Sequence, residues 1–243
     1  MDLYAVVSDI HGNLDACRMV LDDIRRRGIR KVIQLGDLID YGMNSNEVIK
    51  LIQRETDLID VVRIWGNHEK AVINEDYQGF SSQRGVDSAK YTRSVLTDES
   101  MAYLMKGWEQ SGKQEFSIAG KRCLAVHGSL DNPYWKAIGP DQIRGSYEAY
   151  DYVFSGHSHY SHLFTKFYAA DCPQMRNKKA VVFINPGSVG QPRNHNPMAQ
   201  YAVFDADGGS VEFCCIPYDM KATMDTYHGQ VDGFYRDRLQ YGV

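Results

Sequence analysis

Five separate apolar runs in this chain each close on residues able to bind a divalent cation, and that recurrence restricts the fold more than any other feature. The runs are YAVVSDIH (Tyr4–His11), KVIQLGD (Lys31–Asp37), VVRIWGNHE (Val61–Glu69), CLAVHG (Cys123–Gly128) and YVFSGHSH (Tyr152–His159). A short apolar run bounded by Gly or a polar turn reads as a buried strand. In open α/β sheets, ligands sit beyond the carboxyl ends of the strands. Strand ends that carry Asp, His, Asn and His-x-His to one edge describe a site for two metal ions.

The segments between the runs supply the helices of an α/β fold. Asn13 is placed to cap a helix from Leu14 to Arg27, with Leu14, Cys17, Val20, Leu21 and Ile24 at helical spacing and Gly28 closing it. Asn44–Arg54 is a second helix, and the third strand follows it. This β-α-β-α-β rhythm predicts parallel strands with right-handed crossovers. It breaks over about 74–112, where 86–96 and 98–107 read as helices and Thr97 caps the second. We expect that insertion to lie over one side of the site, as a helical cap on a single domain spanning 1–243. Strands are expected at 114–119, 121–126, 152–155, 162–168, 179–184, 200–205 and 210–216, with hairpin turns at Ala119-Gly120-Lys121 and Asp205–Gly209. Met220–Leu239 reads as an amphipathic helix.

Composition removes several classes. A net charge of −4 gives no bulk electrostatic reason for a nucleic-acid partner. No stretch is apolar for long enough to span a bilayer. The N-terminus, MDLYAVVSDIHG, has no basic region ahead of an apolar one, so no signal peptide is expected. Five cysteines without a Cys-x-x-Cys pair argue against a disulfide framework and a thiolate zinc site, and point to reduced thiols in a cytoplasmic protein.

The residue types dictate the chemistry. Asp9 and His11 alternate along an extended segment and so share a side. Asp37 ends the next strand, and its two oxygens can bridge two ions. Asn67 offers an amide oxygen; His127, His157 and His159 offer imidazole nitrogens. The ligand sets are Asp9, His11, Asp37 and His159 for one ion, and Asp37, Asn67, His127 and His157 for the other. Nitrogen and oxygen without sulfur suit Mn²⁺ first, with Fe²⁺ and Zn²⁺ as alternatives. Two such ions roughly 3.5–4 Å apart clamp phosphate oxygens and hold a hydroxide nucleophile. His68 follows the ligand Asn67, points elsewhere in the same turn, and is the candidate general acid. Asp40 is placed to keep it protonated. Taken singly, Asp-x-His, Gly-Asn-His and Gly-His-Ser-His are ordinary turns and caps. Together they complete two coordination shells.

The blocks SDIHGN, LGDLIDYG, WGNHE, VHGS and GHSH resemble the signature blocks of the calcineurin-like metallophosphoesterase superfamily in order and spacing. GDLIDYGMNSNEVI and NPGSVGQPRNHNPMAQYAVFD resemble one bacterial branch, which groups diadenosine-tetraphosphatase-like with Ser/Thr-phosphatase-like proteins. The resemblance implies a four-layer α/β/β/α sandwich, a dinuclear site, and the ligand roles given above. Ser/Thr phosphatases of the superfamily carry Asp-Arg-Gly where this chain has Asp40-Tyr41-Gly42, which weakens a phosphoprotein reading. Arg193, after the Asn185-Pro186-Gly187-Ser188 turn, is a candidate replacement phosphate contact, against the alternative of a solvated surface arginine, and Arg193 and Tyr41 are the candidate substrate-binding residues. His195 is a further candidate, against the alternative of a surface loop. Glu69 supports a ligand or starts a helix. The implied activity is hydrolysis of a small phosphorylated substrate, a phosphodiester or a nucleotide polyphosphate. The alternatives are a phosphomonoesterase, a protein phosphatase, or an inactive scaffold of the same fold. Tyr77, Phe80, Tyr91, Tyr103 and Trp108 are candidates for an aromatic wall on which a base stacks, as against core packing.

Overall fold

The computed structural model describes residues 1–143 and 145–243. Two five-stranded mixed sheets pack face to face. The first runs β10 (Ser210–Ile216), β9 (Ala199–Asp205), β1 (Leu3–Val7), β2 (Lys31–Gln34), β3 (Ile59–Arg63). The second runs β4 (Lys113–Ile118), β5 (Lys121–Val126), β6 (Tyr152–Ser155), β8 (Lys178–Asn185), β7 (His162–Ala169). β1, β2 and β3 are parallel, as are β5, β6 and β8; each sheet gains antiparallel strands at its flanks.

Period-two alternation decides which side chain enters which layer. Tyr4 and Val6 of β1 face the space between the sheets with Ile33, Ala125, Phe154, Ile184 and Phe204. Ala5 and Val7 face the other way, onto α1 (Leu14–Arg26) and α2 (Ser45–Arg54). Helix α1 forms where the sequence places it. Asn13 Oδ1 accepts from Ala16 N at 3.1 Å, and Ala16, Cys17, Val20, Leu21 and Ile24 are its buried stripe. Each fully buried aliphatic side chain there contributes about 1.5–3 kcal/mol. Behind the second sheet, Leu130, Ile138, Tyr147 and Tyr150 pack on Leu124, Val153 and Phe183.

The segment after β3 is helical: α3 (Asn67–Asn74), α4 (Gln83–Val95) and α5 (Asp98–Met105). Thr97 caps α5, accepting from Ser100 N at 3.2 Å, while α4 starts three residues earlier than the apolar pattern indicated, at the Ser82 cap. The hairpin at Ala119-Gly120 has both residues at positive φ, 48° and 75°, as a tight two-residue turn requires. The expected helix over Met220–Leu239 is a correction. It is broken into α6 (Met220–Asp225), α7 (Phe234–Asp237) and a 3₁₀ turn at Arg238–Gln240. Gly229 at φ 89° and Gly233 lie between the pieces, where glycine opposes a continuous helix. Among the described residues no helix is long and apolar enough to cross a membrane.

Candidate metal centre

All the predicted ligands converge at the carboxyl ends of β1, β2, β5 and β6 and at the start of α3. Asp9, His11, Asp37, Asn67, His127 and His159 are buried and His157 is half-buried. Asp9, His11 and His159 bring ligand atoms within 4.8 Å of one another, and so do Asp37, His127 and His157. His11 Nε2 lies 3.8 Å from Asp9 Oδ1 and 3.7 Å from Asp37 Oδ2, so Asp37 reaches the first group. His127 Nε2 is 3.2 Å from the same Asp37 oxygen, so it reaches the second. Asn67 Oδ1 sits 3.0 Å from His127 Nε2 and 2.9 Å from His157 Nδ1.

The backbone that presents these groups is not extended strand. Asp9, His11, Asp37, His157 and His159 have φ between 49° and 65°, and Asp40 and Tyr41 have 74° and 62°. Left-handed conformations are costly for non-glycine residues and gather at functional sites. Alternation along a strand is therefore not what pairs Asp9 with His11 or His157 with His159; each pair stands on a coiled turn after its strand. Three hydrogen bonds fix the first turn onto the second: Asp9 N to Gly36 O at 3.1 Å, His11 N to Asp37 O at 2.9 Å and Gly12 N to Leu38 O at 2.8 Å. The Asn185–Gln191 turn fixes it from the other side, with Ser188 Oγ donating to Asp9 O at 2.7 Å and Gly190 N to the same oxygen at 3.0 Å. Gly66 is required by close approach, since a Cβ there would stand 2.0 Å from Asp37 Oδ1.

The donor set fits divalent cations. His11 Nδ1 lies 3.2 Å from Ile39 O, His127 Nδ1 2.7 Å from Leu35 O, and His159 Nδ1 2.5 Å from Gln191 O. With Nδ1–H donated to its carbonyl, each ring in its neutral form presents a lone pair on Nε2. His11 Nε2 and His159 Nε2 are nevertheless only 3.2 Å apart, and two acceptors cannot satisfy each other. Asp9 Oδ1, buried with no hydrogen-bond partner among the described residues, aims at the same point. A cation resolves this crowding of acceptors. In the other cluster, although burial opposes it, the Asp37 carboxylate pushes His127 up to about 9. Burial and the neighbouring His68 hold His11 well below its ordinary value, and burial with His127 brings His157 down to about 3.

His68 is adjacent to Asn67 yet faces another way. Its Nδ1 is 2.7 Å from Asp40 Oδ2, and its backbone N–H donates to Asp37 Oδ1 at 2.9 Å. Burial alone would lower His68; the Asp37 and Asp40 carboxylates outweigh it and the imidazole is raised. Asp40 is held in turn by Ser88 Oγ at 2.6 Å, Thr92 Oγ1 at 2.9 Å and Tyr41 N at 2.7 Å. Ser88 and Thr92 come from α4, and nothing in their local sequence marks them. Glu69 does both things expected of it: Oε2 accepts from Gly66 N and Asp37 N, both at 2.8 Å, and Oε1 from Leu38 N at 2.7 Å. It closes the N-terminus of α3 and props the Asp37 turn.

The centre opens into a cavity of about 340 Å³ lined by Asp37, Tyr41, Asn67, His68, Phe80, Trp135, Lys136, His157, His159 and Arg193. The two substrate-binding candidates are therefore both in its wall. Arg193 has no ion-pair partner among the described residues, and Tyr41 stacks on Tyr235 at 4.3 Å. His195 is exposed and does not line the cavity; its N–H donates to Gly242 O. Of the five aromatics expected in a wall, only Phe80 lines the cavity. Trp108 is buried in the core and Tyr103 packs against the same cluster. Trp135, from a different connection, was not marked by the sequence pattern.

The chain's relatives agree with this architecture. The calcineurin-like phosphoesterase superfamily domain matches residues 1–209. An uncharacterised protein of Methanocaldococcus jannaschii is 33% identical over 225 residues, covering 90% of this chain and 89% of that one. The crystal structure of a metallophosphoesterase from Sphaerobacter thermophilus superimposes with a TM-score of 0.73 at 25% identity, covering 99% of each chain. A hypothetical protein from Pyrococcus horikoshii has the same fold, with a TM-score of 0.73 at 23% identity over 100% of this chain and 99% of its own. A match over most of the length, on a fold whose strand ends gather these aspartates and histidines, makes the chain a member of the calcineurin-like phosphoesterase superfamily.

Proposed function

We propose that the protein is a dinuclear-metal phosphoesterase acting on a phosphodiester or a nucleotide polyphosphate. Family membership makes it a phosphoesterase hydrolase; the number of ions and the substrate class are our reading. One observation carries it: Asp37 Oδ2 stands 3.7 Å from His11 Nε2 and 3.2 Å from His127 Nε2, between two clusters of side chains able to ligate a divalent ion. Asp9, His11, Asp37 and His159 would hold one divalent ion, and Asp37, Asn67, His127 and His157 the other. Such ions, when bound, supply an activated water nucleophile and neutralise charge on the phosphoryl oxygens.

The chain's own groups do the rest. With Nδ1–H donated to Asp40, His68 keeps a proton on Nε2 at the cavity wall and delivers it to the departing ester oxygen. Arg193 offers a planar donor fork to the phosphate. Tyr41, buried and neutral, occupies the position that an arginine fills in the protein phosphatases of the superfamily. With a neutral phenol at that position and Arg193 as the cation beside it, the site favours a singly charged diester or an internal phosphate over a phosphomonoester dianion.

The test is a panel assayed with added Mn²⁺: bis- and mono-p-nitrophenyl phosphate, diadenosine polyphosphates, cyclic nucleotides and a phosphopeptide, with elemental analysis alongside. Preference for the diester and the polyphosphate is expected. Preference for the monoester or the phosphopeptide would move the assignment to a phosphatase. No turnover of any of them by a protein holding two metal equivalents would leave only a scaffold.

A further inference from the structure

The ester oxygen that leaves departs on the side of the group that protonates it, so the leaving alcohol is read by whatever adjoins His68. What adjoins it is aromatic. The Phe80 ring stands 5.2 Å from the His68 ring, edge to face. Trp135 meets Phe80 at 5.1 Å, with the ring planes 75° apart. Trp135 is also 6.5 Å from the His157 ring, so the pair borders the proposed acid and the ligand cluster together. Both rings line the cavity and both are half-buried, with one side packed on the core.

The backbone is shaped to seat them. A Cβ on Gly79 would stand 2.0 Å from Trp135 Cε2, and one on Gly85 would stand 2.8 Å from Phe80 Cδ1. Phe80 arrives from the connection between α3 and α4, and Trp135 from the one between β5 and β6. Asn132 Oδ1 fixes the latter, accepting from Trp135 N at 2.9 Å. Lys136, next in the chain, lines the same cavity and is exposed, with no ion-pair partner among the described residues. Rings placed only to fill the core have no need of a face on the cavity or of positive charge beside it.

We propose that Phe80 and Trp135 form a leaving-group subsite selecting esters whose departing alcohol carries a flat aromatic ring, in a nucleoside or a simple aryl group. This rests on the phosphoesterase reading and on His68 as the acid. Aromatic side chains recognise such rings by stacking and edge contacts, and Lys136 adds attraction for an anionic substrate at the same rim.

The experiment compares benzyl and cyclohexylmethyl phosphates, each as the monoester and as the methyl diester, with Mn²⁺ present and the released alcohol quantified. Both alcohols are primary and similar in size; they differ in flatness and in having a π face. The native protein is expected to favour benzyl by about tenfold in kcat/KM, the size of one stacking contact. Trp135→Ala should bring that ratio close to one. Gly79→Ala should do the same by displacing the Trp135 ring while keeping it, which covers the case in which Trp135→Ala does not fold. Thymidine 5′-phosphate against ribose 5-phosphate separates the two sources of the ring. A loss of preference in Trp135→Ala on this pair assigns the ring to a nucleobase, and a loss confined to the benzyl pair assigns it to a smaller aryl group. Hydrolysis of both esters at the same ratio in the native protein and both variants overturns the subsite and leaves the phosphoesterase reading standing. No alcohol released from any of these esters by a protein that turns over the panel above overturns the subsite alone; no turnover of either set overturns that reading and the subsite with it.

Discussion

At the scale of single residues, the site depends on two neighbours, Asn67 and His68, facing different ways from the first turn of α3. Asn67 Oδ1 joins His127 and His157, whereas His68 Nδ1 turns to Asp40. Removing the imidazole therefore leaves every proposed ligand in place. His68→Ala is expected to retain its full metal content while turnover falls by about 10²–10⁴; metal loss in that variant would show His68 to be a ligand instead. Asp40 is a positioning residue, and its other oxygen is fixed by Ser88 and Thr92. Replacing them together, Ser88→Ala with Thr92→Val, should lower kcat about tenfold with KM and bound metal unchanged, because the carboxylate that orients His68 is freed. A change in KM or metal content with kcat intact would contradict that role. Which carboxylates and imidazoles gather was legible in the sequence, because five apolar runs end this way in one chain, although any one of them alone reads as an ordinary turn or cap. Ser88 and Thr92 were not legible: they lie 48 and 52 residues from Asp40, and ordinary helix-face hydroxyls carry no signal of their partner. The left-handed φ values were also hidden, since Asp9, His11 and Asp37 are not residues that announce a turn in the way glycine does.

At the scale of elements, strands and capped helices were readable wherever period and cap agreed, as in α1. The C-terminal stretch was not, because its apolar residues pack as an irregular cluster: Tyr227, Tyr235 and Leu239 gather around Tyr41 with Met220 and Met224. That arrangement serves the site's wall rather than a helix face. Helix α1 is tied to β9 by Asp23, which accepts from Tyr201 Oη at 2.6 Å and Arg27 Nε at 2.8 Å. Burial acts to raise the Asp23 carboxyl, but the Tyr201 hydroxyl and the Arg27 guanidinium prevail and hold it below its ordinary value. A carboxyl depressed in the fold adds stability above its unfolded pKa of roughly 3.9 and loses it as pH falls through the lower folded value. Asp23→Asn is therefore expected to cost about 1–2 kcal/mol at pH 7. The gap from the native protein should close as both are titrated below the native carboxyl's pKa. Urea midpoints measured across that range decide it; a gap that stays constant with pH would remove the ionised carboxylate from the account.

At the scale of the whole molecule, the candidate metal centre draws its side chains from both sheets. Asp9 and His11 follow β1, Asp37 follows β2, and Asn67 lies beyond β3, all in the first sheet. His127 follows β5, and His157 and His159 follow β6, all in the second. The sheets otherwise meet through apolar side chains such as Tyr4, Val6, Ile33, Phe154 and Phe204, which resist sliding only by shape. Ions shared between the two sets of ligands would add directed bonds across that interface, and metal held only by the native arrangement stabilises it by mass action. At one hundred times its dissociation constant a ligand contributes about 2.7 kcal/mol, which for a chain of this length raises Tm by roughly 5–10 °C. Stripping metal from the native protein should lower Tm by that amount, and Mn²⁺ should restore it with release of protons, since His127 has to give one up. Asp37→Asn removes a carboxylate whose Oδ2 is in reach of both clusters, so its Tm should respond far less to Mn²⁺ and its metal content should fall below two equivalents. If instead Tm in the native protein is indifferent to chelator and to Mn²⁺, the ligands are not bridging the sheets, and the sandwich is held by its apolar interface alone.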